Sequence, residues 1–118
     1  MMPTLLIVDD HDSFRSWARR VLTDDGFEVV GEAADGAAAI DAVAQLHPEV
    51  TLLDIVLPDM TGFEVASSVH RETIVVLTSS RSSDDVDPDL VAAVSAGFVE
   101  KADLSGTALL GVVARDVG

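Results

Sequence analysis

The sequence predicts an α/β protein with an open, five-stranded parallel sheet that is covered by helices on both faces. Short apolar runs alternate with amphipathic segments five times, and strict alternation implies parallel strands joined by right-handed crossovers. Five strand–helix pairs are too few for an eight-stranded barrel. The chain has 118 residues, of which 48% are hydrophobic and 4% aromatic. We therefore expect residues 1–118 to form one domain with an aliphatic core.

Strands are predicted where apolar residues run continuously, as they do in strands that are covered on both faces. Leu5–Val8, Val50–Asp54 and Ile74–Leu77 have this pattern, and the last of them is the most hydrophobic. Phe27–Val30 contains the polar Glu28, so we expect it at an edge of the sheet. Phe98–Glu100 is predicted as a short fifth strand.

Helices are predicted where apolar residues recur at helical spacing and where capping residues, glycine or proline mark the ends. The first helix follows the polar segment 9–13 and ends near Asp25-Gly26. The second helix is expected to turn Ala37, Ile40, Val43 and Ala44 inward and to end at His47-Pro48. The third is expected to span Phe63–Val69, and the fourth Asp87–Ser95 with Pro88 in its first turn. The fifth is expected to run from a cap at Asp103 or Ser105 to about Arg115.

The composition is strongly acidic and contains no cysteine. There are 21 acidic and 7 basic residues, which give a formal charge of −14. Phosphate backbones repel such a surface, so we do not expect this chain to bind nucleic acid directly. The absence of cysteine excludes disulfides and thiolate metal sites. The apolar run at the N-terminus is too short for a signal peptide or a membrane span, and we expect a cytoplasmic protein.

Polar side chains end four of the five predicted strands. Asp9 and Asp10 follow the first strand, Asp54 ends the third, Thr78 follows the fourth and Lys101 follows the fifth. Each has an ordinary interpretation as a helix cap, a turn residue or a solvated charge. Their joint occurrence favours a site, because ligands of open parallel sheets bind outside the carboxyl ends of the strands.

Three carboxylates in one cleft repel each other unless a cation is bound. Their hard oxygen atoms suit Mg²⁺, which takes one or two carboxylates together with water and phosphate oxygens. A carboxylate beside Mg²⁺ can act as a nucleophile toward a phosphoryl group and form an aspartyl phosphate. An ammonium and a hydroxyl can stabilise the transferred oxygens. The constellation therefore predicts magnesium-dependent phosphoryl chemistry.

Four motifs resemble the receiver domain of bacterial two-component response regulators. They are LLIVDDH at 5–11, LLDIVLPDMTG at 52–62, VLTSS at 76–80 and GFVEK at 97–101. The DDH followed by F-R, and VVGEAADG at 29–36, resemble the subgroup of LuxR-type DNA-binding regulators. The resemblance covers essentially the whole chain. It implies a flavodoxin-like, doubly wound fold with strand order 2-1-3-4-5.

The resemblance also implies roles for individual residues. Asp54 matches the phosphoacceptor, Asp10 the direct Mg²⁺ ligand, and Asp9 the acidic neighbour that holds metal-bound water. The backbone carbonyl of Val56 matches the third protein ligand, and Mn²⁺ is expected to substitute for Mg²⁺. Thr78 matches the residue whose hydroxyl moves toward the phosphoryl group, and Lys101 matches the lysine that pairs with the phosphoryl group. Phe98 matches the aromatic switch residue that swings inward on activation.

In this family the phosphoryl donor is a histidine kinase or a phosphotransfer protein. The signal leaves through the face formed by the fourth helix, the fifth strand and the fifth helix, toward an output protein or a second copy, or toward transcription in a longer parent protein. Ala102 replaces the usual proline after Lys101, and the connection Val69–Thr73 is short. The apolar Val56 predicts slow self-dephosphorylation, because this position steers the attacking water.

Alternative interpretations remain open at this point. A receiver-like fold can serve as an interaction or dimerisation module that works without phosphate. An independent phosphatase is not expected, because Val56 stands where such enzymes place a second Asp as general acid. Phe98 has an equally good interpretation as a plain core residue. His11, His47 and His70 lack metal-ligand spacing, so His11 is predicted to be a loop residue bordering the cleft.

Overall fold

The structure, a computed structural model, describes residues 3–117 as one sheet and five crossover helices. The strands are β1 (Thr4–Val8), β2 (Glu28–Ala33), β3 (Val50–Asp54), β4 (Ile74–Ser79) and β5 (Gly97–Glu100). The helices are α1 (Asp12–Asp24), α2 (Gly36–Leu46), α3 (Gly62–Val69), α4 (Pro88–Val94) and α5 (Gly106–Val117). Short 3₁₀ turns follow β4 at Ser83–Asp85 and β5 at Lys101–Asp103.

All five strands are parallel, in the order β2-β1-β3-β4-β5. This confirms the predicted doubly wound α/β fold and the position of β2 at an edge. The chain reverses direction across the sheet between β1 and β3, which opens a crevice at their carboxyl ends. Paired residues run from Leu5 with Val50 to Asp54 with Thr78 across the central strands. The predicted polar strand ends are thereby brought to the same edge.

The core has two layers, one on each face of the sheet. Successive strand residues point to opposite faces, so Leu5 and Ile7 pack beneath α1 and α5, whereas Leu6 and Val8 pack beneath α2, α3 and α4. The central strand β3 is buried along its whole length. Buried strands that are covered on both faces require the continuous apolar runs that the sequence shows.

The predicted inward face of α2 was partly wrong. Ala37 and Ala44 are exposed, whereas Val43 is buried as predicted and Ile40 is half-buried. The helix also buries Ala39, which was not predicted. The helix is so rich in alanine that no polar face defines its orientation, and periodicity alone therefore gives a poor estimate of its rotation. The predicted second strand is also displaced, because Phe27 fills the core ahead of β2 and the strand continues to Ala33.

Helix starts are fixed by side-chain caps. Asp35, Thr61, Asp87 and Ser105 each accept a backbone N–H of the helix that follows, over 2.8–3.1 Å. Each such cap satisfies a donor that has no partner within the helix. The cap at Ser105 is one of the two that were predicted for the last helix, and α4 begins next to Asp87 as expected. Within residues 3–117, no helix has the length and apolar composition needed to cross a membrane.

Candidate functional site

The carboxyl ends of β1, β3 and β5 bring one cation and two carboxylates into contact. Lys101 Nζ lies 2.5 Å from Asp9 Oδ2 and 2.9 Å from Asp54 Oδ2. The side chain of Asp9 is fully buried, and those of Asp54 and Lys101 are 7% and 16% exposed. The ammonium also lies 4.3 Å from the ring centroid of Phe14 on α1. Lys101 is the one lysine of the sequence, and it neutralises part of the charge of this cleft.

The two buried carboxyl groups have opposite pKa shifts. Burial alone would raise the pKa of Asp9, but its contacts with Lys101, Asp54 and the backbone of His11 hold that pKa below the usual value. Burial raises the pKa of Asp54, and the backbone N–H of Val56 and the ammonium of Lys101 offset this only in part. Burial would lower the pKa of Lys101, yet the two carboxylates raise it. The protein therefore stabilises the ionised form of Asp54 less than that of Asp9.

Asp10 and His11 complete the rim of this cleft. The side chain of Asp10 is 36% exposed, and its Oδ1 lies 3.1 Å from His11 Nδ1. The same imidazole nitrogen lies 3.0 Å from Asp9 Oδ1. One ligand atom from each of Asp9, Asp10, His11 and Asp54 can be chosen so that all lie within 4.8 Å of one another. These groups are close enough to hold a single metal ion.

The donor set fits a divalent cation. Three carboxylates offer the hard oxygen atoms that Mg²⁺ and Mn²⁺ prefer. Asp9 Oδ2 is buried, and its contact is the ammonium of Lys101 at 2.5 Å, which also contacts Asp54. One ammonium cannot balance the charge of three neighbouring carboxylates. A bound divalent cation would balance the remainder.

The loop after β3 is shaped around Asp54. The backbone N–H of Val56 donates to Asp54 Oδ1 over 3.0 Å, and the N–H of Gly62 donates to the carbonyl of Ile55 over 2.9 Å. A Cβ atom at Gly62 would lie 2.2 Å from the carbonyl oxygen of Asp54. Only glycine allows this close approach of the two backbones, which explains the glycine of the LPDMTG motif.

The contacts of Thr78 and Phe98 lie outside the carboxylate cluster. The hydroxyl of Thr78 is fully buried and donates to the carbonyl of Val99 over 2.6 Å. Phe98 is half-buried and packs against the layer formed with α3 and α4. It also lines a groove of about 250 Å³ beside Val86, Pro88 and Val91. The structure thus places Thr78 opposite Asp54 in the sheet register, with its hydroxyl committed to β5.

Arg15, a mostly buried arginine of α1, contacts the turn after β1 that carries Asp9 and Asp10. The Arg15 side chain is 14% exposed; its guanidinium donates to the carbonyl of Asp9 over 2.6 Å and to Glu32 over 3.0 Å. It also contacts Asp12 on its own helix. Arg15 therefore ties the turn after β1 to both α1 and β2. Five donors in a rigid fork suit an arginine to this bridging position.

The geometry brings together most of the predicted site residues. Asp9, Asp10, Asp54 and Lys101 converge, whereas the Thr78 hydroxyl points elsewhere. Sequence reasoning missed the contacts of His11 and Arg15. The clue to Arg15 was its position on α1, one turn after the acidic pair, where a long side chain reaches back toward the preceding turn.

The chain belongs to the response regulator receiver domain family. The family model, described as the response regulator receiver domain, matches residues 5–105. Among solved structures, the NarL signal receiver domain from Mycobacterium tuberculosis is 34% identical, with a TM-score of 0.78 and coverage of 96% of this chain and 94% of that one. The chemotaxis response regulator CheY4 of Vibrio cholerae is 29% identical, with a TM-score of 0.80 and 98% of both chains covered. The predicted resemblance is confirmed.

Curated relatives are longer than this chain. The nitrate/nitrite response regulator NarP of Escherichia coli is 41% identical over 70% of this chain and 40% of its own length. Response regulator GacA of Pseudomonas viridiflava is 34% identical over 85% of this chain and 49% of its own length. A protein-glutamate methylesterase of Halobacterium salinarum is 37% identical over 77% of this chain and 27% of its own length. The match spans about a quarter to a half of these relatives' own length.

Proposed function

We propose that this chain is a phosphoryl-accepting receiver that switches an output partner. Asp54 accepts a phosphoryl group from a histidine kinase or a phosphotransfer protein. Asp9, Asp10, Asp54 and the backbone carbonyl of Val56 would hold Mg²⁺, or Mn²⁺ in its place. The observation that carries the proposal is the pair of ion pairs by which Lys101 joins Asp9 and Asp54 at the carboxyl edge of the sheet.

The reaction is a displacement at phosphorus. A carboxylate oxygen of Asp54 attacks the phosphorus atom of a phosphohistidine, the phosphorus–nitrogen bond breaks, and its electron pair remains with the imidazole. The product is an acyl phosphate on Asp54. A bound Mg²⁺ supplies charge neutralisation for the phosphoryl oxygens. Lys101 supplies a second positive charge from the protein itself.

We interpret the contacts of Asp54 as the arrangement that precedes phosphorylation. Oδ1 accepts the N–H of Val56, and Oδ2 accepts the ammonium of Lys101. We expect the ammonium of Lys101 to move away from Asp54 Oδ2 and to donate hydrogen bonds to the incoming phosphoryl oxygens. The low exposure of Asp54, which is also the main reason that its pKa is raised, favours a site that is shielded from water until a donor arrives.

Switching is proposed to run through Thr78 and Phe98. The Thr78 hydroxyl leaves the Val99 carbonyl and turns toward the phosphoryl group on Asp54, its neighbour across the β3–β4 register. The space that it vacates beside β5 allows Phe98 to turn inward. Phosphorylation would thereby bias a two-state packing of β5 against α4.

The proposed output face carries an apolar groove with an acidic rim. Residues of α4 and β5 form the groove, including Val91 and Phe98, and the exposed Asp87 and Asp89 lie at the start of α4. This combination suits an output partner with an apolar side chain and basic neighbours. A self-dimer through α4, β5 and α5 is the other partner that we consider, although the charge of −14 opposes it.

Intact mass after incubation with acetyl phosphate and Mg²⁺ tests the proposal. We expect one added phosphoryl group in the wild type and in an Asp41→Asn control, which removes an exposed carboxylate of α2. We expect none in Asp54→Asn and none after EDTA treatment. No adduct in the wild type, with no beryllofluoride binding, would instead support a phosphate-independent interaction or dimerisation module.

The lifetime of the phosphoryl group is a second measurable property. The Val56 side chain is 59% exposed beside Asp54, and an apolar side chain there does not hold a water for attack at phosphorus. We therefore propose slow self-dephosphorylation. We further propose that residues 1–118 act as one cytoplasmic receiver domain and not as an independent enzyme. Disappearance of the phosphoryl group within seconds would contradict this.

A further inference from the structure

We propose that His11 is a nitrogen ligand of the metal site and makes the site prefer first-row transition ions such as Mn²⁺, Co²⁺ and Zn²⁺ over Mg²⁺. This inference rests on the proposed function, because it assigns a further ligand to the same cleft. The receiver chemistry requires oxygen ligands alone. An imidazole in the coordination shell would change which divalent ions the cleft selects.

The distances around His11 match those between neighbouring ligands of one metal ion. Its Nδ1 lies 3.0 Å from Asp9 Oδ1 and 3.1 Å from Asp10 Oδ1. For ligand bonds of about 2.1 Å, neighbouring ligand atoms of an octahedron are about 3.0 Å apart. An ion can therefore bind all three atoms with small side-chain movements. Asp54 offers a further oxygen within the same group.

The local backbone holds the imidazole in this position. His11 occupies the cap position of α1, but its side chain makes no capping hydrogen bond. Its backbone N–H donates to Asp9 Oδ1 over 2.8 Å, which folds the turn back onto the carboxylate. Arg15 fixes the same turn from the helix, with its backbone N–H on the carbonyl of His11 and its guanidinium on the carbonyl of Asp9.

A second observation points to a cation. Asp9 is fully buried, and the single ammonium of Lys101 is shared between Asp9 Oδ2 and Asp54 Oδ2. The carboxylates of Asp9, Asp10 and Asp54 therefore carry more negative charge than Lys101 balances, next to an imidazole that is 66% exposed. The ordinary interpretation is that His11 simply hydrogen-bonds to two carboxylates, since 3.0 Å also suits an N–H···O contact.

Glutamine separates the two interpretations, because it keeps a hydrogen-bond donor but is a poor ligand for transition ions. We would compare the wild type with His11→Gln and with His70→Gln, an exposed histidine at the end of α3. Isothermal titration with MgCl₂, MnCl₂, CoCl₂ and ZnCl₂ gives the affinities. We expect His11→Gln to weaken Co²⁺ and Zn²⁺ binding by about 10–100-fold, and to change Mg²⁺ binding less than about threefold.

Pulsed electron paramagnetic resonance of the Mn²⁺-loaded protein reads the ligand directly. We expect the ¹⁴N coupling of a bound imidazole in the wild type and in His70→Gln, and its loss in His11→Gln. Mn²⁺ bound without ¹⁴N coupling, or coupling that persists in His11→Gln, would overturn the inference. So would an equal loss of affinity for Mg²⁺ and Co²⁺ in that variant.

The proposed function fails in a different way. If Mg²⁺ supports phosphorylation of Asp54 and no nitrogen binds the metal, then only the role of His11 is wrong. If Asp10→Asn leaves the binding of every ion unchanged, the metal is not in this cleft and both proposals fall. The acetyl phosphate experiment is therefore run on the same preparations.

Discussion

Replacing Lys101 with methionine should leave two buried carboxylates side by side without their cation. The ammonium lies 2.5 Å from Asp9 and 2.9 Å from Asp54, and it covers the ring of Phe14. Methionine keeps most of the length of the aliphatic stem but cannot carry charge. The variant thus isolates the electrostatic contribution of Lys101 from its packing.

The cost can be worked from the exposure of the groups. Removing one partner of a buried ion pair costs about 3–5 kcal/mol, because the other charge is left buried and uncompensated. The Lys101 side chain is 16% exposed, so water reaches part of the site and we expect about 2–4 kcal/mol. At about 4 °C per kcal/mol for a domain of this size, the melting temperature should fall by about 8–16 °C.

The loss should depend on pH in a defined direction. The pKa of Asp54 is already raised above its ordinary value of 3.8 by burial, and removal of the ammonium would raise it further. A raised carboxyl pKa in the folded state destabilises the fold at pH values above it, and this penalty is relieved as the pH falls through it. The difference between variant and wild type should therefore be largest at pH 8 and shrink toward pH 4.

Urea unfolding in EDTA at pH 8 and pH 5 measures these differences, with Arg81→Met as the control for losing an exposed positive charge. Millimolar Mg²⁺ should recover much of the loss in Lys101→Met, since a bound cation replaces the missing one. A loss below 0.5 kcal/mol at pH 8, which is the size expected of an exposed ion pair, would refute the view of Lys101 as the resting counterion. A loss that does not change with pH would refute it as well.

Three further predictions concern the scaffold of the site. Gly62→Ala should cost about 1–3 kcal/mol or abolish folding, because the new Cβ meets the Asp54 carbonyl at 2.2 Å; chemical unfolding would show it, and wild-type stability would contradict it. Thr78→Val should cost about 1 kcal/mol by removing the hydrogen bond to the Val99 carbonyl, whereas Thr78→Ser should restore most of the loss in the same assay. Asp59 accepts the N–H groups of Gly36 and Ala37, and these bonds lower its pKa. The stability that it adds is present above its unfolded pKa and disappears as the pH falls through the folded pKa, so the melting temperatures of Asp59→Asn and wild type should converge in acid; a constant difference would contradict this.

Much of the fold was predictable because each strand must satisfy two constraints at once. β3 and β4 lie inside the sheet and are covered on both faces, so they are mostly apolar up to their polar carboxyl ends; the one polar residue inside β3, Thr51, is buried against Thr73. The rotation of α2 was not predictable in the same way. Its sequence GAAAIDAVAQL has little polar contrast, and packing against β2 and α3 decides which alanines are buried.

The proximity of the side chains at the strand ends was predictable, but their hydrogen bonds were not. Parallel strands carry their last side chains to one edge, so Asp9, Asp54 and Lys101 had to lie near each other. The direction of the Thr78 hydroxyl depends on a carbonyl of β5, and the position of His11 depends on the turn after β1. Both follow from contacts between segments that are distant in sequence or from loop geometry, for which residue patterns carry no signal.

The bond between Thr78 and the Val99 carbonyl has a consequence for the unstimulated protein. A neutral hydrogen bond contributes about 1 kcal/mol net, and by itself a gap of that size would leave about one molecule in six in the alternative arrangement. A receiver held in its off state mainly by this bond would be leaky and give a measurable basal output without any phosphate. Phosphorylation would then change the proportion of active molecules. The free energy of the Thr78–Val99 hydrogen bond would limit the ratio between the stimulated and the basal response.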